Sequence, residues 1–551
     1  MRTALVVAVL LLLLLCVLPV VRVLAYSFLS DDGGLTFENY RAAFAPPYRL
    51  GVLLHSLSLA SLATLLALLI GVPYAFFCTR VRVPGRGLFA ALYILPLVLP
   101  PLLMTMGWTQ FLSARYGPSA EGLLGGVKGA AFLFALSYWP FVVLFARKGF
   151  TEIGAGLEEA ARVTCGPFRA FFRITLRLAA PGILAGALFV FLFSLSDFSV
   201  VDYLSTIFPP KERVTAYTFE AFSAWATNWV QRAGPREATA LCVPVGVASL
   251  LLLLLIFRLH GRTRLLSVTS GHVRARDVEE LSPPAVRWTV RVSGLLFLTA
   301  VLVLSVGIPL GRTIRDAAGR DGLLESVRFA LVPGDGGSVG ALPDVLNSLF
   351  FSALAAAGMT ILALVLARHA VRHGPRREAL ILSLAFLPLA FGSILYGVGL
   401  IRTWNHPWLE IDRVNPVYDT FVIVVLMLIG KYLPFAFAAV MTSLRRIDPR
   451  FEEAGAVCGA RPFRRASALA LPLARGGLAG GFILGFVFSM RELDTIVLIS
   501  AGNRTAMMKI YTWVHTAYES SVAALSLVLV ALIALPFLLH WLVAARRVRV
   551  L

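Results

Sequence analysis

The sequence carries little charge for its length. Only 15% of its 551 residues are Asp, Glu, Lys or Arg, whereas a soluble globular domain contains about 25%. Hydrophobic residues make up 58%, and apolar runs of ~20 residues recur along the chain, each long enough to cross a bilayer as a helix. Because lipid offers no hydrogen bonds to the backbone, these runs must be helical. The composition excludes an ordinary soluble domain and predicts an all-α integral membrane protein.

Cysteine and nucleotide-binding motifs are also scarce. The five cysteines fall in predicted spans or predicted cytoplasmic segments, without metal-ligand spacing: Cys16, Cys78, Cys165, Cys242 and Cys458. This pattern excludes a disulfide framework, and we expect the chain to bind no metal and no other cofactor. No GxxxxGK[ST] phosphate loop is present, so we expect the chain itself to hydrolyse no ATP through such a site.

The charge that is present is mainly basic. Fifty Lys and Arg against 30 Asp and Glu give a formal net charge of +20, which could indicate a nucleic-acid partner. The arginines are concentrated in every second segment between the apolar runs, however, as the positive-inside rule requires of cytoplasmic loops. We therefore expect no nucleic-acid partner, a protein embedded in membrane lipid, and both termini in the cytoplasm.

Twelve spans account for the apolar runs. We predict them at 4–25, 53–78, 88–109, 128–147, 179–203, 237–257, 292–311, 345–367, 379–401, 419–442, 474–500 and 521–544. The segments between them are too short to form a separate domain of ~100 residues. A soluble domain that captures a substrate must therefore be another polypeptide.

The second half of the chain repeats the first. The motif YWPF at 138–141 matches YLPF 294 positions later, at 432–435. SLSDFSVVDYLS at 194–205 matches SMRELDTIVLIS 295 positions later, at 489–500. The constant order and spacing predict a tandem duplication of six spans, parallel because six is even. We place a first transmembrane domain at 1–257, an arginine-rich cytoplasmic linker at 258–291, and a second transmembrane domain at 292–551.

A charged segment also occurs twice, at equivalent places. LEEAARVTCGPFRAFFRITLRL begins at 157, and FEEAGAVCGARPFRRASALALPL begins at 451. In the second copy, Asp448-Pro449 is a suitable helix start, the two glutamates complement the positive end of the helix dipole, and Gly459 begins a break. The predicted product is a helix–turn–helix on the cytoplasmic surface with one face of small residues. A single such loop could simply lie on lipid headgroups, but two equivalent copies favour a protein partner.

At these residues the chain resembles the permease subunits of bacterial ABC importers, in the branch where two permeases are fused. The family signature is EAA, three residues and glycine, and the second copy reads Glu453-Ala454-Gly455 with Gly459. The resemblance implies a bacterial inner-membrane protein, two copies of a cytoplasmic ABC ATPase as partners, and a periplasmic substrate-binding protein. It also implies that the signature residues dock on the ATPase: Glu158, Glu159, Ala160, Ala161, Gly166, Glu452, Glu453, Ala454, Gly455 and Gly459.

The first copy departs from the family pattern. Cys165 stands where the glycine is expected, and Gly166 comes one residue later. Gly154-Ala155 replaces the Asp-Pro start, and Arg177 replaces the proline near the end of the motif. We therefore predict unequal coupling loops, with the second more rigid and more important energetically.

Few charges lie within the predicted spans. Those that do are functional candidates by default, and we predict that five border the route of the transported solute: Asp197, Asp202, Arg491, Glu492 and Asp494. The alternative is that they lie at the water interface or form structural pairs. Lys431 and Glu519 are interpreted as interfacial, with no role.

The motifs DFxxVDY and MREL in these segments resemble those of the ferric-iron branch of fused permeases. That resemblance implies ferric iron as the solute, with thiamine, phosphonate or polyamine as alternatives in related importers. An ion-coupled secondary transporter is the main rival, although its buried carboxylates are usually near the membrane midplane. A membrane-embedded enzyme has no support, because no HExxH motif or convergent carboxylate–histidine set is present.

Overall fold

The fold is entirely helical over the part of the chain that the structure, a computed structural model, describes. The described residues are 2–30, 32–117, 121–152, 161, 163–208, 216, 218, 235–263, 284–319, 322–332, 340–411, 415–448, 450–451, 454, 457–459, 464, 468, 471–499, 504–516 and 519–548. Within these ranges no extended segment grows beyond an isolated bridge, such as the one between Leu29 and Leu35.

The helices of the first sequence half follow the predicted spans. They are α1 (Arg2–Leu12), α2 (Leu18–Ser27), α3 (Glu38–Phe44), α4 (Pro47–Arg80), α5 (Arg86–Leu92), α6 (Leu95–Val98), α7 (Pro101–Tyr116), α8 (Glu121–Leu124), α9 (Gly126–Glu152), α10 (Pro167–Ala170), α11 (Leu176–Ser196), α12 (Ser199–Ile207) and α13 (Pro235–Thr263). Short π-helical turns, Leu13–Val17 and Phe171–Thr175, join α1 to α2 and α10 to α11.

The second half has a similar order of long helices. Its helices are α14 (Pro284–Leu302), α15 (Ile308–Ala318), α16 (Leu323–Leu331), α17 (Leu342–His373), α18 (Pro375–Ala385), α19 (Leu387–Ala390), α20 (Ser393–Trp404), α21 (Phe421–Leu444), α22 (Leu471–Leu473), α23 (Arg475–Met490), α24 (Ile496–Ile499), α25 (Ala506–Val514) and α26 (Glu519–Val548). A π-helical turn, Val303–Gly307, joins α14 to α15.

Among the described residues, eight helices are long and apolar enough to cross a membrane. They are Thr3–Ser27, Pro47–Arg80, Gly126–Thr151, Phe171–Ser196, Arg287–Ala318, Leu342–His373, Phe421–Leu444 and Ser520–His540. The pair Arg86–Val98 and Pro101–Tyr116 adds a span bent by 93°, and Thr239–Leu254 and Arg475–Met490 are shorter apolar helices. An all-α membrane protein of about twelve spans is thereby confirmed, whereas the cytoplasmic placement of both termini stays a prediction.

Several spans that we predicted as continuous are interrupted. The span predicted at 88–109 bends at Leu99, whose backbone is extended (φ −82°, ψ 116°). Pro100 and Pro101 follow, and a proline disfavours the helical conformation of the residue before it. The span predicted at 179–203 stops at Ser196, and the one predicted at 474–500 stops at Met490. In both of these spans, an Asp or Glu follows the end of the helix within two positions. Its carboxylate accepts a hydrogen bond from a backbone N–H group that would have a helical partner if the helix were continuous.

One compact unit contains residues 1–43, 224–246 and 314–551. Its centre consists of α17, α21 and α23, which pack on one another in pairs. The first span of the chain also belongs here, because α1 packs against α17 and α2 packs against α20. Within this unit the helix pairs α16–α26 and α25–α26 complete the packing.

The second compact unit contains residues 44–223 and 247–313. Its centre consists of α4, α9 and α11, the helices that correspond in the repeat to α17, α21 and α23. Small residues allow close packing: a Cβ atom at Gly186 would lie 2.6 Å from the Cα atom of Val142 on α9. Such small-residue contacts are the usual way in which membrane helices approach. Here α14, the start of the second half, packs against α4.

Each unit therefore includes the first span of the other sequence half. The docking is similar in both, since a proline just after a π-helical turn faces a glycine. Pro309 meets Gly107, where a Cβ atom would lie 2.6 Å from the proline Cα, and Pro19 meets Gly399. The compact units are defined by which helices pack together, whereas the predicted domains 1–257 and 292–551 are defined by the sequence repeat. The boundaries of the predicted domains stay a prediction.

The π-helical turns also receive side-chain hydrogen bonds. Because proline has no N–H, a carbonyl in the turn before it is left without its helical donor. In one unit the Tyr396 hydroxyl donates to the carbonyl of Leu15 at 2.9 Å. In the other, Trp108 Nε1 donates to the carbonyl of Leu304 at 3.0 Å. These bonds fix the first spans against helices of the other repeat.

Candidate functional site

The second charged loop begins and ends as its sequence predicts. The Arg450 backbone N–H donates to the Asp448 carboxylate at 2.9 Å, which confirms Asp448 as a helix-start residue. The Cys458 N–H donates to the Ala454 carbonyl at 3.0 Å, an ordinary helical bond. Gly459 then has a positive φ of 75°, the left-handed conformation in which glycine commonly ends a helix.

The first loop ends in the same way, although its glycine is displaced in the sequence. Gly166 has a φ of 77°, close to that of Gly459. Before it, the Cys165 thiol donates to the carbonyl of Ala161 at 3.1 Å. Gly166, one residue late in the motif, is thus the structural counterpart of Gly459, and each is preceded by a cysteine.

The two loops expose an apolar side chain at equivalent positions. Val163 and Val457 are 294 positions apart, the offset of the repeat, and are 90% and 89% exposed. Single exposed valines are common on protein surfaces. The equivalent pair therefore gives the two loops an exposed apolar side chain at the same position.

The remaining signature positions lie outside the described residues. They are Glu158, Glu159, Ala160, Glu452, Glu453 and Gly455. Ala161 is buried and Ala454 is exposed.

A second candidate site lies where the fifth span of each repeat breaks. In the first repeat, Asp197 follows the end of α11 and is buried. Its Oδ2 accepts from the Tyr138 hydroxyl at 2.9 Å, and its Oδ1 accepts from the Ser199 hydroxyl at 3.1 Å and the Val200 N–H at 3.0 Å. The carboxylate therefore caps α12 and ties it to α9.

In the second repeat, Glu492 follows the end of α23 and is 4% exposed. Its Oε1 accepts from the Thr495 N–H at 2.9 Å, as Asp197 does from Val200, and its Oε2 accepts from the Tyr432 hydroxyl. Lys431 Nζ forms an ion pair with Oε1 at 2.6 Å. Our interpretation of Lys431 as interfacial is therefore wrong: the residue is 3% exposed and is neutralised by a carboxylate on another span.

The contacts of the YxPF motif explain why both halves of the chain contain it. The tyrosine donates to the carboxylate at the break, and the phenylalanine packs beside an aromatic residue of the fifth span. Phe141 lies 5.1 Å from Phe193 in one unit, and Phe435 lies 4.4 Å from Phe488 in the other, measured between ring centres. Aromatic pairs at this spacing contribute beyond their buried area. The sequence showed the repeat of this motif but gave no reason for it.

The other three predicted residues of the route lie in the breaks or just after them. Asp202 is buried in α12, and its backbone carbonyl accepts from the hydroxyls of Ser205 and Thr206. Arg491 is buried, with its guanidinium carbon 5.8 Å from the ring centre of Phe488. Asp494 is half-buried. Across the described residues, no group of three His, Cys, Asp or Glu is arranged to hold a metal ion.

Comparison with known proteins identifies the family. The family described as "binding-protein-dependent transport system inner membrane component" matches residues 52–263 and again residues 359–549. The chain belongs to this family. The two matches confirm the duplication, and the prediction that the chain is an ABC importer permease is confirmed with them. Such a permease is a multi-pass protein of the bacterial inner membrane, and ATP is hydrolysed by a separate subunit.

Relatives of two kinds resemble this permease. The ferric transport system permease protein FbpB of Actinobacillus pleuropneumoniae is 24% identical over 518 residues, covering 91% of this chain and 72% of the relative. The Fe(3+)-transport system permease protein FbpB 2 of Haemophilus influenzae is 25% identical over 524 residues, covering 93% of each. The spermidine/putrescine permease PotB of Haemophilus influenzae is 34% identical, but over 205 residues and 34% of this chain.

Proposed function

We propose that this permease moves ferric iron, released by a periplasmic binding protein, across the inner membrane. The supporting observation is that the relatives aligned over more than 90% of this chain are named as ferric permeases. The polyamine permease covers only 34% of the chain, as expected for a protein that corresponds to a single repeat. A polyamine therefore remains the second candidate solute.

Uptake measurements test this proposal. A bacterial strain that lacks the chain should lose accumulation of radiolabelled ferric iron, and the intact chain should restore it. Spermidine uptake, measured in the same cells, should not change. Restoration of spermidine uptake without any effect on iron would show that polyamine is the solute and that the ferric assignment is wrong.

We further propose that both charged loops dock on an ATPase, so that one permease chain binds two ATPase copies. The two exposed valines and the matched left-handed glycines support two docking helices of similar shape. The proposed contact residues are those of the signature: Glu158, Glu159, Ala160, Ala161, Gly166, Glu452, Glu453, Ala454, Gly455 and Gly459. Asp448 caps the start of the second loop, and the sequence of the first loop has Gly154 at the equivalent position, which supports our prediction that the second loop is the more rigid.

Alanine substitution tests the inequality of the two loops. Glu453→Ala should reduce co-purification of the ATPase more than Glu159→Ala does, since the second helix is better capped and loses less entropy on docking. Equal losses would contradict the inequality while leaving the docking intact.

Charge insertion tests the docking itself. Val457→Asp and Val163→Asp should each weaken ATPase binding by ~10-fold or more, because an ionised group would be buried in the contact. Leu35→Asp is the matched control, since Leu35 is 87% exposed and lies in a predicted external segment. ATPase binding that is unaffected by both valine changes would rule out these loops as docking sites.

The charged residues at the breaks are proposed to border the route of the solute. Buried ionisable groups in a membrane protein are costly and usually functional. The residues are Asp197, Asp202, Arg491, Glu492 and Asp494. Glu492 is neutralised by Lys431, so it would border the route as part of an ion pair.

A further inference from the structure

We infer that Lys431 is a positioning residue, which holds the broken fifth span of the second repeat to two neighbouring spans and thereby opposes its movement during transport. The inference rests on the proposed function only in requiring that the chain be coupled to an ATPase. It concerns the ion pair with Glu492 and the polar groups around it.

The ammonium group of Lys431 has a complete set of acceptors. Nζ lies 2.6 Å from Glu492 Oε1, 2.8 Å from the Ser393 hydroxyl and 3.0 Å from the Thr495 hydroxyl. An ammonium group has three N–H donors, and these three contacts use all of them. Both oxygens of Glu492 are likewise engaged, since Oε2 accepts from Tyr432. The cluster is closed, so Glu492 is better suited to holding helices in place than to receiving a solute.

The cluster joins elements that are distant in sequence. Ser393 is the first residue of α20, and Lys431 lies within α21. Glu492 and Thr495 lie in the short segment between α23 and α24, where the helical hydrogen-bond ladder is interrupted. A single buried cation therefore links the third, fourth and fifth spans of the repeat at the point where the fifth span can bend.

The first repeat lacks this cluster, although it has the same break. At the offset of 294, Ser137 replaces Lys431, and its hydroxyl donates to the carbonyl of Leu133 in its own helix at 2.9 Å. At the offset of 292, defined by the Leu-Pro pairs at 95–96 and 387–388, Pro101 replaces Ser393. Val200, at the offset of 295, replaces Thr495. The first repeat therefore has neither the lysine nor the two hydroxyl acceptors at the equivalent positions. Their joint replacement indicates that the three residues act together in the second repeat.

Buried ion pairs are rarely retained for stability alone. Replacing both partners by apolar residues is often neutral or stabilising, whereas removing one leaves an uncompensated charge. A pair that bridges a helix break instead raises the free energy of any conformation in which the fifth span moves away from the fourth. Loss of the pair should therefore make that conformation easier to reach without the signal from the binding protein.

The test uses the double variant K431M/E492L, which removes both charges and leaves none unpaired. The complex of the permease with its co-purifying ATPase is reconstituted in liposomes, and ATP hydrolysis is measured with and without the loaded binding protein. We expect hydrolysis without the binding protein to rise about fivefold or more, so that the ratio of the stimulated to the unstimulated rate falls. The exchanged pair K431E/E492K, which can re-form the ion pair, should lower the unstimulated rate again.

Ser137→Ala is the matched control in the first repeat and should leave both rates unchanged. If K431M/E492L folds, binds the ATPase and hydrolyses ATP at the unstimulated rate of the unaltered permease, Lys431 has only a structural role and the inference is wrong. Failure of the unaltered permease to bind or couple to any ATPase would instead overturn the proposed function. The two failures are therefore distinguishable.

Discussion

Tyr138 and Tyr432 make equivalent contacts in the two repeats. Each places its ring beside a phenylalanine of the fifth span, with ring centres 5.4 Å apart in both units. Each hydroxyl donates to the carboxylate that follows the break. The tyrosine therefore combines an apolar contact with a hydrogen bond to a charged group, and phenylalanine could provide only the first.

Removing this hydroxyl should weaken the fold. Tyr138→Phe and Tyr432→Phe keep the aromatic contacts but remove one donor to a buried carboxylate. We expect each to lower the free energy of unfolding by about 1–2 kcal/mol, measured by denaturation of the purified permease in detergent. Tyr48→Phe, at an exposed position, should have no effect. If neither break variant differs from that control, the hydroxyls do not hold the breaks closed.

At the scale of single residues, the local sequence pattern showed which charged residues are unusual, but it did not show which partners surround each of them. The sequence singled out Asp197 and Glu492 as unusual charges within spans, and the structure buries both at helix breaks. The sequence pattern placed Lys431 at the interface, whereas the structure buries it against Glu492, 61 positions away. A buried cation is tolerated only with such a partner, and a contact of this range is not encoded in the neighbouring residues.

At the scale of helices, hydrophobic length predicted where the spans lie but not where they break. The apolar run extends across Leu99, and a single charged residue, Asp197, interrupts the run at residues 196–199, so length alone indicates one helix in each case. Prolines and capping carboxylates decide the breaks. Pro100 and Asp197 carry this information in the sequence, although their effect depends on which hydrogen bonds the surrounding helices supply.

The docking of the first spans depends on two glycines, because a side chain at either position would prevent the close approach of the helices. A Cβ atom at Gly107 would lie 2.6 Å from Pro309 Cα, and one at Gly399 would collide with the carbonyl of Pro19. Gly107→Leu and Gly399→Leu should therefore each displace a first span and lower the free energy of unfolding by about 1–3 kcal/mol or more.

Gly51→Ala is the matched control for these variants. Gly51 also lies within a helix, α4, but a Cβ atom there would meet nothing within 4 Å. Because alanine favours helix more than glycine, this change should be neutral or slightly stabilising, by about 0.5–1 kcal/mol. Thermal unfolding of the three variants side by side separates loss of docking from a general effect of changing a glycine. Equal melting temperatures would show that the close contacts carry no stability.

At the scale of the whole molecule, the duplication was predictable and the exchange of first spans was not. The repeat offsets near 294 establish two similar sets of six spans. A first span could, however, pack on its own repeat or on the other one, and the hydrophobic pattern satisfies both arrangements equally because the repeats are alike. Particular contacts decide the outcome, such as Tyr396 with Leu15 and Trp108 with Leu304.

The exchange predicts that neither sequence half is stable alone. Removing residues 264–283 of the linker gives fragments 1–263 and 284–551, and each lacks the first span that its main body packs against. Expressed singly, the second fragment should expose the surface around Gly399 and Gly430 that α2 and the preceding turn cover, and should aggregate or be degraded. Expressed together, the fragments should co-purify and bind the ATPase, since every packing contact is available. A second fragment that purifies alone, monodisperse and with an unfolding temperature equal to that of the joined pair, would show that the first span of the chain is not part of its stable unit.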